Sequence, residues 1–164
     1  MYKKILAVVL ARSGSKRLKN KNIKILQNKP LINWTIDVAA KSKKFCDIIV
    51  SSDSEKILKI AKSFNKNILT LKRSKKISND NVTSEVAIRH ALKWYEKKFT
   101  QVNYIVLLQP TSPFRTLKTI NKCLKEIRNP KINTVITVKK TDTEEKHKRL
   151  FQLVKNKFCL EKKI

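Results

Sequence analysis

Residues 11–22, ARSGSKRLKNKN, combine small residues with cations in a pattern that suits an anion. The stretch holds Gly14, the one glycine of the chain, and five cations: Arg12, Lys16, Arg17, Lys19 and Lys21. Ser13, Gly14 and Ser15 are small enough to let backbone N–H groups approach a phosphate, which the cations then neutralise. Neither the GxxxxGK(S/T) loop of ATP sites nor the GxGxxG of dinucleotide sites is present. A solvated basic turn is the competing reading for any single lysine in so lysine-rich a chain. Three more polar groups follow apolar runs: Ser51, Ser52 and Asp53; then Arg73; then Gln109 through Arg115.

These residues need elements to hold them. Ile5, Leu6, Ala7, Val8, Val9 and Leu10 are apolar without alternation, as in a parallel strand buried on both faces. Pro30 suits the first turn of a helix over 31–42, with Leu31, Trp34, Thr35, Val38 and Ala39 on one face. A second strand over 47–50 leads into Ser51, Ser52 and Asp53. Ser54 can cap a helix over 55–64 with the stripe Ile57, Leu58, Ile60 and Ala61. A short third strand covers 68–71. Thr83 or Ser84 can cap a helix over 85–98 that turns Val86, Ala87, His90, Ala91, Trp94 and Tyr95 inward. A fourth strand (104–108), a helix (116–128) stopped before Pro130, and a fifth strand (134–138) complete the alternation. Beyond it, 141–149 is charged and loop-like, and 150–160 can fold as a hairpin around Lys155, Asn156 and Lys157.

Strands alternating with helices predict an α/β fold: three layers, a mostly parallel twisted sheet with helices on both faces. The predicted division is an α/β domain over 1–140 and a loop with a hairpin over 141–164. In such sheets a ligand lies beyond the carboxyl ends of the strands, where the polar groups above all fall.

Composition narrows the class. A chain of 164 residues with 41% hydrophobic content can bury a core as one domain. Lys and Arg number 39 against 12 Asp and Glu, a net charge of +27. Such a balance usually signals nucleic acid. Here lysine dominates, the cations are spread along the chain, and Lys, Ile and Asn share A/T-rich codons. No specific nucleic-acid partner is therefore expected. Cys46, Cys123 and Cys159 are odd in number and lack CxxC spacing, and neither His90 nor His147 is adjacent to one. Free, buried or half-buried thiols are expected rather than a disulfide framework or a zinc site. The apolar run before Arg12 is too short for a signal peptide, and no run reaches the roughly 20 apolar residues that span a bilayer. A cytoplasmic chain with no membrane partner is predicted.

The loop after the first strand resembles the opening of the acylneuraminate cytidylyltransferase family, ARxxSKxxxxKN, on Ala11, Arg12, Ser15, Lys16, Lys21 and Asn22. The stretch LLQPTSPFR over 107–115 resembles the family's LLQPTSPLR. The resemblance implies a Rossmann-like nucleotidyltransferase fold. It implies transfer of CMP from CTP to an acidic, N-acylneuraminate-like nonulosonic sugar with release of pyrophosphate, in cell-surface polysaccharide synthesis. It also implies magnesium as cofactor, CTP and a sugar acid as partners, and a homodimer. By resemblance, Arg12, Ser15, Lys16 and Lys21 contact the CTP phosphates. Arg12, Lys16 and Lys21 are the catalytic cations, Lys21 foremost for transition-state charge. Ala11 belongs to the same nucleotide loop, and Asn22 holds the nucleotide near the base and ribose. Arg73 is similar to the family's LRP arginine near the cytosine, with Ser74 in place of the usual proline. Asp80 and Ser84 lie in a segment similar to LAsDxxSS, and Ser84 is either a base-reading hydroxyl or a helix cap. Gln109, Thr111, Ser112 and Arg115 line the sugar side, with Arg115 suited to a carboxylate.

The family continues with an asparagine-bearing strand motif, a full dimerisation extension and a late DIDxxxD segment whose aspartates hold magnesium. Asp142, Glu144 and Glu145 do not reproduce that spacing. The magnesium ligands here are thus unknown, with Asp53 the remaining candidate, itself either a site carboxylate matching the family's VSTD or a helix cap. The resemblance implies a carboxyl-terminally truncated chain, or one completed by a second polypeptide, with 141–164 a remnant of the dimerisation extension. It implies that CTP affinity outlasts catalysis. The alternatives are a weak or inactive CTP-binding fragment, a cytidylyltransferase for another sugar such as 3-deoxy-manno-octulosonate, and a basic nucleic-acid-binding domain.

Overall fold

Six apolar residues in a row leave the first strand no polar face to turn toward water. In the computed structural model β1 (Ile5–Leu10) accordingly runs inside the sheet, with Leu6, Ala7, Val8 and Val9 at 0% exposure. The structure describes residues 3–15, 18–79, 81–137, 151–154 and 157–160. In chain order the next elements are β2 (Ile25–Leu26), β3 (Lys29–Pro30), α1 (Leu31–Ser42), β4 (Asp47–Ser52) and α2 (Glu55–Phe64). Then come β5 (Leu69–Lys72), α3 (Ser84–Lys98), β6 (Tyr104–Leu107) and α4 (Leu117–Glu126). Finally β7 (Phe151–Val154) pairs antiparallel with β8 (Lys157–Leu160).

The main sheet has the order β5-β4-β1-β6, and every pair in it is parallel. Val8 lies opposite Ile49 on one side and Leu107 on the other. Successive β1 side chains feed opposite faces. Ala7 and Val9 join Ile32, Ile36 and Ala39 of α1 and Ile57, Leu58 and Ala61 of α2. Leu6 and Val8 join Ile88, Ala91 and Tyr95 of α3. The sheet therefore carries helices on both faces, as the alternation of elements predicts. On the α1 side, Ile120 and Leu124 of α4 pack on Val38 of α1, with Ile5 and Val106 of the sheet against them. Ser54 and Thr116 cap α2 and α4 by accepting the N–H groups of Ile57 and Thr119. No helix among the described residues is long and apolar enough to cross a membrane.

Several local readings need correction. The inward face of α1 is led by Ile32 and Ile36, while Leu31 and Trp34 are half-buried. In α3, Ile88 is buried and Val86 is 42% exposed. Both stripes are rotated by about one position because the tightest contacts to the sheet select among adjacent apolar residues. Of the expected fifth strand, 134–137 forms no ladder and Val138 lies outside the described residues. The hairpin of β2 and β3, with Gln27 at φ 57°, carried no glycine signal and was not anticipated. Cys46 is an exposed free thiol rather than a buried one, and Cys123 is half-buried. At the amino end of the sheet the Tyr95 hydroxyl donates to the Asp47 carboxylate, tying α3 to β4. Burial, with the Asp47 and Cys46 contacts, pushes the Tyr95 pKa up.

Neighbouring residues of α1 allow two energies to be compared. Ile36 is 0% exposed in the core, whereas Asp37 takes Lys29 at 3.2 Å and Lys41 at 3.0 Å at the surface. Ile36→Ala should cost about 2–5 kcal/mol and Asp37→Asn less than about 1 kcal/mol, read from urea midpoints. Burial would raise the Asp37 pKa, but hydrogen bonds from Lys41 and Lys29 and their charges hold it below its ordinary 3.8. A depressed carboxylate contributes stability that is present above its unfolded pKa and lost as pH falls through the folded one. Acid titration of stability should therefore be shallower in Asp37→Asn below about pH 4.

Candidate functional site

Because the sheet is parallel, β1, β4, β5 and β6 all deliver their carboxyl ends to one edge. The Ala11 N–H still donates to Ser51 O at 3.1 Å, prolonging the β1–β4 ladder by one residue. The chain then leaves the sheet and is caught by the neighbouring strand end. Asp53 Oδ1 accepts the Ser13 N–H at 2.8 Å, and Oδ2 accepts the Ser13 Oγ–H at 2.6 Å. The Ser15 N–H donates back to Ser13 O at 3.0 Å. Two of the three backbone N–H groups over 13–15 are thus engaged within the protein. Gly14 has no left-handed φ, and a Cβ placed there meets no heavy atom within 4 Å. The shape of the loop therefore does not itself require glycine.

The far end of the loop is tied to its start. Asn22, 6% exposed, donates Nδ2 to the Arg12 carbonyl at 2.9 Å, closing the loop across its base. Lys21 opens the 3-10 turn Lys21–Ile23, is half-buried, and donates its N–H to Leu18 O at 3.1 Å. Lys16 lies outside the described residues.

Arg73 follows β5 and is only 5% exposed. Its N–H donates to Ser52 O at 2.9 Å, and its Nε donates to Ser78 Oγ at 2.8 Å. Nη1 is buried without a partner. Burial pulls the Arg73 pKa down, the Asp53 charge opposes that, and the Arg12 charge adds to it. Asp53 answers in kind. Burial would raise its pKa, but Ser13, the backbone and Arg73 together hold it below 3.8. Arg12, Asp53 and Arg73 thus form one electrostatic unit across the ends of β1, β4 and β5. Ser51 Oγ, 0% exposed in the same rim, also lacks a partner. The contacts from Asp53 to Ser13 and from Arg73 to Ser78 had no signal in the sequence beyond the residue types.

The segment after β6 forms a second group. Gln109 O accepts the Ser112 N–H at 3.2 Å and Arg115 Nη2 at 3.4 Å, while Gln109 Oε1 accepts from Thr111 Oγ1 at 3.4 Å. Thr111 and Ser112 are exposed. Arg115 Nη1 is buried without a partner, and burial lowers its pKa against the pull of Cys123. Phe114 meets Trp34 edge-on at 6.1 Å, and Trp34 Nε1 donates to Leu26 O at 3.2 Å. The segment is thereby leaned on α1 and the β2–β3 hairpin. Ser84 is the first residue of α3, the cap position belongs to Thr83, and Thr83 makes no capping bond. Asp80 lies outside the described residues.

No three His, Cys, Asp or Glu side chains gather as a metal cluster among the described residues. Both Asp53 oxygens already take Ser13 donors, and Glu55 pairs with Lys72 at 2.7 Å. The described residues alone therefore do not make a set that fits magnesium.

Known proteins share both the sequence and the fold. A family model described as cytidylyltransferase matches residues 6–158. An N-acylneuraminate cytidylyltransferase of Escherichia coli is 42% identical over 125 residues, which are 76% of this chain and 28% of that protein. A CMP-N,N'-diacetyllegionaminic acid synthase of Legionella pneumophila is 40% identical over 139 residues, 82% of this chain and 57% of that one. The chain thus spans between about a quarter and three fifths of these two relatives. A CMP:2-keto-3-deoxy-manno-octonic acid synthetase solved with CTP superposes with a TM-score of 0.64 at 19% identity, over 80% of this chain and 50% of that one. A 4-diphosphocytidyl-2C-methyl-D-erythritol synthase does so with 0.64 at 9% identity, over 88% and 67%. With its strand-end cations, its parallel sheet and a family match over most of its length, the chain belongs to the cytidylyltransferase family.

Proposed function

We propose that this chain is the nucleotide-binding part of a transferase that passes CMP from CTP to an acidic nonulosonic sugar. The observation that carries the reading is Arg73. A guanidinium that is 5% exposed, with Nη1 unpartnered and Arg12 near enough to repel it, is costly unless a ligand supplies acceptors. A nucleotide does so. The relatives at 40–42% identity carry names of nonulosonate-activating enzymes, which supports the sugar class without choosing the sugar.

In the reaction a sugar hydroxyl oxygen attacks the α-phosphorus, the bond between the α- and β-phosphates breaks, and pyrophosphate leaves with the electron pair. The chain's part is to collect negative charge and align the nucleotide. Arg12, Ser15, Lys16 and Lys21 are assigned to the phosphates, with Lys21 on the charge that develops in the transition state. Ala11 and Asn22 shape the loop, and Arg73, Asp80 and Ser84 are assigned to the base side. Gln109, Thr111, Ser112 and Arg115 are assigned to the sugar. Magnesium, typical of the family, would add charge neutralisation on the triphosphate, with ligands from outside the described residues. A homodimer belongs to the same proposal, with 141–164 as part of a dimerisation extension.

Calorimetry with CTP, ATP and duplex DNA tests the reading. CTP should bind more tightly than ATP, and DNA weakly at physiological salt. Equal affinity for CTP and ATP together with strong DNA binding would overturn it. Lys21→Ala should weaken CTP about tenfold, as expected for one charge-assisted contact, with the melting temperature unchanged. Gly14→Ala is a sharper probe, because a Cβ at that position has room in the empty protein. It should leave stability within about 0.5 kcal/mol of wild type and still weaken CTP, since a methyl blocks close approach of the phosphate. Unchanged CTP affinity in Gly14→Ala would remove the backbone of that loop from the phosphate site.

A further inference from the structure

A carboxylate at the mouth of a phosphate site is an electrostatic liability, so Asp53 needs a reason to be there. Its two oxygens bind two different donors of one residue, Ser13, which is 40 positions away in the chain. The O–H contact at 2.6 Å falls in the range of charge-assisted bonds to a carboxylate, the strong class. Asp53 directly follows β4 and Ser13 lies in the loop after β1, so the pair clamps two adjoining strand ends. The same carboxylate lies in the field of Arg73, whose charge is also opposed by Arg12.

We propose that Asp53 is a positioning residue: it anchors the Ser13 end of the phosphate-facing loop, so the cleft is set before a nucleotide arrives. The proposal rests on the nucleotide-binding reading above and gives Asp53 a structural partner in Ser13 instead of a metal. Four consequences follow from the geometry. Asp53→Asn keeps an acceptor for the Ser13 N–H and removes the charge. Asp53→Ala removes both. Ser13→Ala removes the hydroxyl but keeps the N–H, and Ser13→Thr restores the hydroxyl. None of the four substitutions enters the buried core, and thermal melting confirms folding of each variant.

The test measures CTP and inorganic tripolyphosphate binding to the full 164-residue chain by calorimetry. It also measures exchange of the Ser13 amide proton by NMR without nucleotide. Asp53→Ala should lower CTP affinity about tenfold and speed Ser13 exchange. Tripolyphosphate affinity should fall with it, because both ligands meet the anchored loop through phosphate. Asp53→Asn should fall between the two, and Ser13→Thr should bind CTP as wild type where Ser13→Ala does not. Unchanged Ser13 exchange in Asp53→Ala would overturn the anchor. So would a loss seen with magnesium and absent with EDTA, which would make Asp53 a metal ligand. If wild type does not bind CTP while Ser13 exchange and tripolyphosphate affinity respond as stated, the anchor stands and the nucleotide reading fails.

Discussion

β1 has a neighbour on each edge and a helical layer on each face, and the rest of the molecule is arranged by that burial. Leu6 to Val9 expose nothing to water, so every backbone group along that stretch must be satisfied by β4 and β6. Parallel pairing on both sides then dictates crossovers. Alpha-helical connections lie on either face, and all strands end at one rim. β4 and β6 flank β1 from opposite sides, so the order of the sheet reverses at β1. The crevice at such a reversal is where ligands sit in this kind of sheet. The loop over 11–22 emerges at that point.

At the rim the chemistry is a balance of buried charge. Arg73 is almost wholly desolvated, and Arg12 makes its position worse. One carboxylate, Asp53, tempers the Arg73 charge and holds Ser13 at the same time. A protein folding for stability alone would rarely keep a buried guanidinium with an unfilled donor. The second unfilled donor, Arg115 Nη1, stands at the end of β6, the strand on the other side of β1. Positive charge with vacant hydrogen-bonding capacity therefore occurs on both sides of the central strand.

The comparisons separate scaffold from site. A synthase at 9% identity superposes as well, by TM-score, as one at 19%, so this sheet tolerates nearly complete replacement of its side chains. What distinguishes members of such a fold lies in the loops at the rim. In this chain those loops are internally bonded. Asn22 closes the first onto Arg12, and Gln109 braces the last through Ser112, Thr111 and Arg115. Edge contact between Phe114 and Trp34 leans that last loop on α1.

By itself the sequence determined the alternation of strands and helices, the buried character of β1, and the polar rim that follows each strand. Those features are local: an unbroken apolar run, a helical stripe, a serine or threonine before a helix. It also carried the motif residues from Ala11 to Asn22 that mark the family. Tertiary structure decided the rest. Ile32 and Ile36 outrank Leu31 and Trp34 in α1, and Ile88 outranks Val86 in α3, because a broad apolar stripe has several phases and the sheet selects one. Residues 134–137 stay out of the sheet although β6 is an edge strand. The engagement of Ser13 by Asp53, of Arg12 by Asn22 and of Arg73 by Ser78 was likewise hidden. Each such bond depends on where two separate segments end in space, and residue type alone states only that a donor and an acceptor exist.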